Sequence, residues 1–393
     1  MNFGRIFTPI SDMNFCMYFS AGYSSLKAAL FAGSLLVVFV FSSFSTVAQP
    51  KPLKTENVFI ITLDGMRWQE LFGGAADSLM NDKTFVGDTA QLKTLFAAST
   101  AEERRMKLMP WMWQTVSKQG QIYGNRWLGN KVNVSNPHWF SYPGYNEILT
   151  GFSDPEINSN NKVDNPHVTV LEWLNQKPAY QGKVAFFGSW DVFPFIINEK
   201  RSGIPVNAGF RQAEGKGLSS REVFLNELQG QIPSPWGSVR LDAFTHHFAL
   251  EYMKRKHPRV VHIAYGETDD FAHDGHYDQY LKSARQTDAM IAQLWQFVQS
   301  DPFYAQKTTF LITTDHGRGD IPKAAWKHHG KEHAGSDAIW FAVIGPDTPA
   351  LGEVKTNGQW WQNQMAKTLA TFLGQEYTNK REVGKAVQEM IKK

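Results

Sequence analysis

Apolar runs of strand length recur along this chain, and each gives way abruptly to polar residues. The first, NVFIITLDG from Asn57, stops at Asp64. KVAFFGSWD from Lys183, RVVHIAYGETDD from Arg259, TTFLITTDHG from Thr308 and AIWFAVIGP from Ala338 follow the same pattern. Continuous β-branched and aromatic runs, without polar alternation, are what a strand covered on both faces requires, as in a parallel sheet. Helical patterning lies between them, over Asp242–Lys256 and Tyr280–Ser300. In the second segment Leu281, Ala284, Ala289, Ile291, Leu294 and Phe297 are expected on one side. Strands alternating with helices predict an α/β fold, a doubly wound and mainly parallel sheet flanked by helices. Residues 152–240 are rich in Asn, Gly and Pro and are expected to form a cap insertion or long loops over a site.

The N-terminus breaks this pattern. Lys27 precedes AALFAGSLLVVFVF (Ala28–Phe41), and SSFSTVAQP follows. A charged flank, an apolar core and a small-residue site predict a signal peptide over residues 1–48, with cleavage at Ala48–Gln49. Met13 or Met17 are alternative starts, and a retained membrane anchor is the competing reading. On the signal-peptide reading, residues 49–393 form a single exported catalytic domain, periplasmic or secreted. It would have no stable membrane association after processing. Cys16 is the one cysteine and lies before the apolar core, so the mature chain holds no disulfide. Hydrophobic residues make up 42% and charged residues 20%, which fits an ordinary globular core. A net charge of +3 with no Lys/Arg block argues against duplex nucleic acid as a partner.

The polar islands at the run ends carry the candidate chemistry. In open α/β sheets, ligands bind beyond the carboxyl ends of the strands. Asp64 stands at one such end. GETDDFAHDGH supplies Asp269 and His273, four residues apart and so on one face of a helical turn, with Asp270, Asp274 and His276 as competitors. TTDHG supplies Asp315 and His316 beside a bend-permitting Gly317. WKHHGKEHAGSD offers His328, His329 and His333. Carboxylate and imidazole together suit Zn²⁺ or Mn²⁺. The last island is NPHWFSYPGYNEILTG, Asn136–Gly151, where prolines, glycines and aromatics surround Ser141. This composition predicts a stiff loop aiming the hydroxyl. A serine needs a base or a metal to become a nucleophile. No G-x-S-x-G elbow is present, so a metal is the economical activator.

Taken in order, Asp64, Ser141, Asp269-x-x-x-His273, Asp315-His316 and a late histidine resemble the alkaline phosphatase superfamily, in particular its type I phosphodiesterase/nucleotide pyrophosphatase-like members. VFIITLDGMR resembles the first metal strand of that group, and SYPGYNEILTG resembles its nucleophile segment. The resemblance implies an alkaline-phosphatase-like fold and a phosphoric ester hydrolase with two divalent ions, Zn²⁺ first, with Mn²⁺ or Mg²⁺ as alternatives. It implies Asp269, His273 and the late histidine at one ion. Asp64, Asp315, His316 and the Ser141 oxygen would hold the other. His329-Gly330 resembles the phosphodiesterase pattern and His333 the phosphatase spacing, so both stay open. Ser141 would be the nucleophile of a phosphoserine intermediate on a small-molecule phosphate ester.

The sulfatase pattern C/S-x-P-x-R is also similar, but Tyr145 replaces its arginine. The mutase branch carries a large insert that this chain is too short to hold. Asn161, with Asn158 and Asn160 close behind, has the spacing of a phosphate-contacting asparagine in the family. Arg318 and Lys200-Arg201 are candidate cations for extra phosphate oxygens, and Trp190 and Tyr145 are candidate stacking surfaces. A non-enzymatic, exported metal- or phosphate-binding protein is the alternative of a different class.

Overall fold

β-Branched and aromatic residues dominate the strands on which this structure, a computed structural model, is built. Residues 52–392 are described. The signal peptide reading of residues 1–48 and Cys16 lie outside them. In chain order the strands are β1 (Asn57–Leu63), β2 (Gln121–Tyr123), β3 (Asn130–Asn133), β4 (Val184–Gly188), β5 (Val206–Ala208), β6 (Val260–Tyr265), β7 (Thr308–Thr313), β8 (Ala338–Ile339), β9 (Phe341–Ile344), β10 (Gly352–Glu353) and β11 (Gly358–Trp361). Eight form one sheet in the order β10-β2-β9-β7-β1-β6-β4-β5. Strands β7, β1, β6, β4 and β5 run parallel, and β9 runs against β7 and β2. A small second sheet is ordered β11-β3-β8.

Both faces of the large sheet are covered, which is why its strands are apolar throughout. Along β1, Phe59, Ile61 and Leu63 face a core shared with the helices Asp242–Lys256 and Tyr277–Ser300. Val58 and Ile60 face the other core, with the helices Ser141–Thr150, Val170–Asn175 and Met365–Phe372. Each fully buried large aliphatic side chain contributes about 1.5–3 kcal/mol relative to exposure. This makes the central strands the rigid base of everything at their carboxyl ends. No helix among the described residues is long and apolar enough to cross a membrane.

The doubly wound, mainly parallel sheet is as the sequence predicts, and four local expectations are corrected. AIWFAVIGP is not one strand: Trp340 interrupts it, its indole donating to the Met66 carbonyl at 2.9 Å, and the two halves join different sheets. The 152–240 stretch is not a separate cap, because β4 and β5 within it are strands of the main sheet. On the long helix, Leu281, Ala284, Ile291 and Leu294 are buried, whereas Ala289 is exposed and Phe297 only half-buried.

Ser141 stands in the first turn of a ten-residue helix, not in a loop. Pro143 is tolerated there because the first-turn N–H groups have no helical acceptor. Gly151 ends the helix in the left-handed conformation at φ 79°. Gly144 lets the helix press on the turn after β7: a Cβ there would lie 2.4 Å from the Asp315 carbonyl oxygen. Gly144→Ala is therefore expected to destabilise the protein by about 1–3 kcal/mol through overpacking. Urea unfolding in the presence of chelator measures this, and an unchanged midpoint would show that the helix can move away freely.

Candidate active site

Three neighbouring strand exits build the site. β1 lies between β6 and β7 in the sheet, so the turns that follow these strands open side by side. Asp64 follows β1, the helix Glu267–His273 follows β6, and Asp315 and His316 follow β7. The Ser141 helix approaches from the second core and completes a cavity of about 340 Å³. Asp64, Ser141, Asn160, Trp190, Ser238, Val239, Gly266, Asp269, Asp270, His273 and His329 line it.

His316 is the hub. Its Nδ1 is 2.8 Å from the Gly317 carbonyl, which requires an N–H there and leaves Nε2 directed at the acids. From Nε2, Asp64 Oδ1, Asp315 Oδ2 and Ser141 Oγ are each 3.4 Å away, and Asp269 Oδ1 is 3.7 Å away. These separations are long for hydrogen bonds. They match ligands spaced around one tetrahedral ion at about 2.0–2.2 Å. A second group lies alongside. His273 Nε2 is 3.2 Å from Asp269 Oδ2 and 2.9 Å from His329 Nε2, which is itself 3.6 Å from Asp269 Oδ1.

The electrostatics identify what the group lacks. Burial and neighbouring carboxylates push Asp64 and Asp315 above the ordinary carboxylate range. Burial alone would lower His316, but Asp315, Asp64 and Asp269 outweigh it and lift the imidazole to about 9. Burial opposes ionisation of Asp269 as well, yet Arg318, His273 and His329 hold its carboxyl well below the usual range. Asp64 Oδ1 and Asp315 Oδ2 are buried with no hydrogen-bond partner. Buried carboxylate oxygens left unpaired are costly, and divalent cations would neutralise them. Donor atoms within 4.8 Å of one another occur in two sets, Asp64/Asp315/His316 and Asp269/His316/His329. The residues present therefore fit a two-ion centre.

Several sequence candidates sit elsewhere. His333 is outside the cluster and stacks on His328 at 5.2 Å between ring centroids, whereas His329 is inside. Arg318 does not reach the cavity. It is 1% exposed, with Nε donating to the Trp326 carbonyl, Nη2 to Lys327 and Nη1 to Asp269, so it braces a candidate ligand rather than a substrate. Asn161 is exposed and makes a backbone turn to Val163; Asn160 lines the cavity instead, with Oδ1 accepting from the Tyr142 N–H at 3.0 Å. Lys200 pairs with Asp164, and Arg201 pairs with Glu172. Asp274 accepts from the Trp236 indole, while Asp270 does line the cavity. Tyr145 is fully buried and does not offer a stacking face, whereas Trp190 stands in the wall.

The sequence reading also missed supporting groups. Asp242 accepts from the Gly266 and Glu267 N–H groups at 2.7 and 3.1 Å, while Glu267 accepts from the Asp242 N–H at 2.8 Å. This exchange fixes the start of the Asp269 helix. Gln362 donates to the Asp315 carbonyl at 2.6 Å. Neither carries a motif signal, because each acts on backbone brought near only by the fold.

A sequence profile for type I phosphodiesterase / nucleotide pyrophosphatase matches residues 81–390. The chain belongs to this family, a metal-dependent group of hydrolases. Among solved structures, wild-type alkaline phosphatase PafA is similar at 10% identity and a TM-score of 0.53, covering 87% of this chain and 99% of its own. The phosphonate monoester hydrolase SpPMH from Silicibacter pomeroyi is similar at 13% identity and a TM-score of 0.52, covering 86% and 76%. A 2-O GAG sulfatase aligns at 12% identity and a TM-score of 0.50, covering 86% and 74%. At these identities the likeness speaks for the fold alone. A search of curated protein sequences gave no match.

Arg318→Met is expected to remove the guanidinium from the partly buried Asp269 carboxylate and leave His273 as its nearest partner, costing about 3 kcal/mol in the metal-free protein. Denaturant unfolding in chelator measures this. An unchanged stability would mean that Arg318 does not brace Asp269.

Proposed function

We propose that this chain is a two-metal phosphodiesterase in which Ser141 is the nucleophile. Asp64, Asp315, His316 and Ser141 would hold one ion, and Asp269, His273 and His329 the other. This division follows from His316, whose single free nitrogen can serve only one of the two sets. The ions, when bound, would lower the pKa of the serine hydroxyl and draw charge from the phosphate oxygens. Zn²⁺ suits the mixed imidazole and carboxylate donors best.

The observation that carries the diester reading is the composition of the wall. Among the described residues lining the cavity there is no Lys or Arg. A monoester dianion calls for extra cationic or donor groups at its non-bridging oxygens; a diester carries one negative charge. The one amide in the wall is Asn160. Its Oδ1 is engaged by Tyr142, which leaves the Nδ2 donor for a phosphate oxygen. In the reaction, the bond from Ser141 Oγ to phosphorus forms as the bond to the leaving alcohol breaks. The alcohol departs with the proton equivalent that the serine gives up. Water then cleaves the serine ester, restoring Ser141 and releasing a phosphate monoester. Trp190 and Val239 provide an apolar wall for a substituent of the substrate. Export follows from the apolar N-terminal segment, with residues 49–393 as the active domain.

Zinc-loaded residues 49–393, assayed with an aryl phosphate monoester, its diester and the aryl sulfate, should show diester turnover above monoester turnover. Chelator should abolish it. Sulfate turnover alone, or no turnover of any of the three, would overturn the reading. Ser141→Ala is expected to lower kcat at least about a thousandfold while circular dichroism stays unchanged; surviving turnover would remove Ser141 from the mechanism. Asn160→Ala should lower kcat/KM about 10- to 150-fold, the value of a hydrogen bond to a charged group. An unchanged ratio would leave Asn160 outside substrate contact.

A further inference from the structure

Tyr145 lies four residues beyond Ser141 on the same helix, so the two side chains share a face. Its ring is fully buried and meets Phe193 edge-on, 4.8 Å between centroids at 86°. Its hydroxyl donates to Asp64 Oδ2 at 3.0 Å. The second oxygen, Oδ1, has no hydrogen-bond partner and faces His316 Nε2 at 3.4 Å. We propose that Tyr145 is a positioning residue that ties one oxygen of Asp64 to the serine helix and so presents the other to the metal beside Ser141. This rests on the two-metal reading above and adds a residue that controls it.

The physical reason is the freedom of a carboxylate. An untethered aspartate can rotate and offer either oxygen, or both. A phenol fixed by packing removes that freedom and selects Oδ1. The donor is also neutral. Asp269 is gripped by the Arg318 guanidinium, which offsets part of its charge. Asp64 is gripped by a group that leaves its charge intact, so its attraction for a cation is undiminished. Because the tether starts on the serine helix, it also sets the offset between Ser141 and the Asp64 ligand. Partners that orient metal ligands in this way typically contribute 10- to 100-fold in metal affinity or activity.

Tyr145→Phe deletes one oxygen and keeps the ring that packs on Phe193. In a competition titration of the metal-free protein with a chromogenic zinc chelator, one of two zinc affinities is expected to fall about 10- to 100-fold, and the other to hold. At saturating zinc, kcat should fall while KM stays. A double-mutant cycle separates positioning from packing. On an Asp64→Asn background, Tyr145→Phe should cause no further loss of zinc affinity. Equal losses in both backgrounds, or an unchanged zinc titration, would overturn the proposal. A wild-type protein that binds no zinc in the same titration would overturn the two-metal reading together with the proposal built on it.

Discussion

The crowding of buried Asp64 and Asp315 and partly buried Asp269 around one imidazole is the constraint on which the rest of the structure depends. Like charges held this close in a medium of low dielectric repel strongly, and their desolvation adds to the cost. No arrangement of loops would keep them together unaided. The sheet does so because β1, β6 and β7 are adjacent and parallel, so their exits cannot separate without breaking the ladders between them. The apolar surface buried on both faces of those strands offsets the cost at their ends.

Each acid is then held by a different device. Asp315 accepts from the Gly65 N–H at 3.1 Å, Asp269 is held by a guanidinium, and Asp64 by a phenol. In Asp64 and Asp315 one oxygen is engaged from behind while the other is unpaired on the cluster side; in Asp269 the guanidinium grips Oδ1, which also faces His316 and His329. Ser141 enters this field on a helix whose contact with the Asp315 turn is closed by Gly144. Close positioning matters because misplacing a reacting group by about 1 Å can lower the rate about a hundredfold. On the proposed two-ion reading the ions would supply the positive charge, and a monoanionic phosphate would need only a neutral donor such as Asn160.

Much of this was legible in the chain. Long apolar runs announce β1, β4, β6 and β7, and the predicted Asp242–Lys256 helix is found with those same bounds. The short strands β2, β3, β10 and β11 carry too few residues to give a period. The Ser141 segment reads as a loop because prolines, glycines and aromatics are poor helix formers, and only the surrounding core overrides that preference. Arg318 reads as a candidate cation for a phosphate because sequence gives no sign of the carboxylate and carbonyls that engage it. The asparagines at 158, 160 and 161 do not show which member turns inward; a bond from the Tyr142 N–H holds Asn160 in the cavity wall. His329 and His333 both stay open in the sequence, with His329 the favoured one, and the fold places His329 against His316 and His333 against His328.

The central claim is that Ser141 attacks phosphorus. It is tested most directly by rapid acid quench of the zinc-loaded protein during diester turnover, followed by mass spectrometry of the peptide that carries the serine. The account predicts an adduct on Ser141 with the mass of the phosphoryl group and its retained substituent, formed within the first turnover and lost as substrate is exhausted. Continued turnover with Ser141 unmodified at every quench time, or an adduct on another residue, would contradict it.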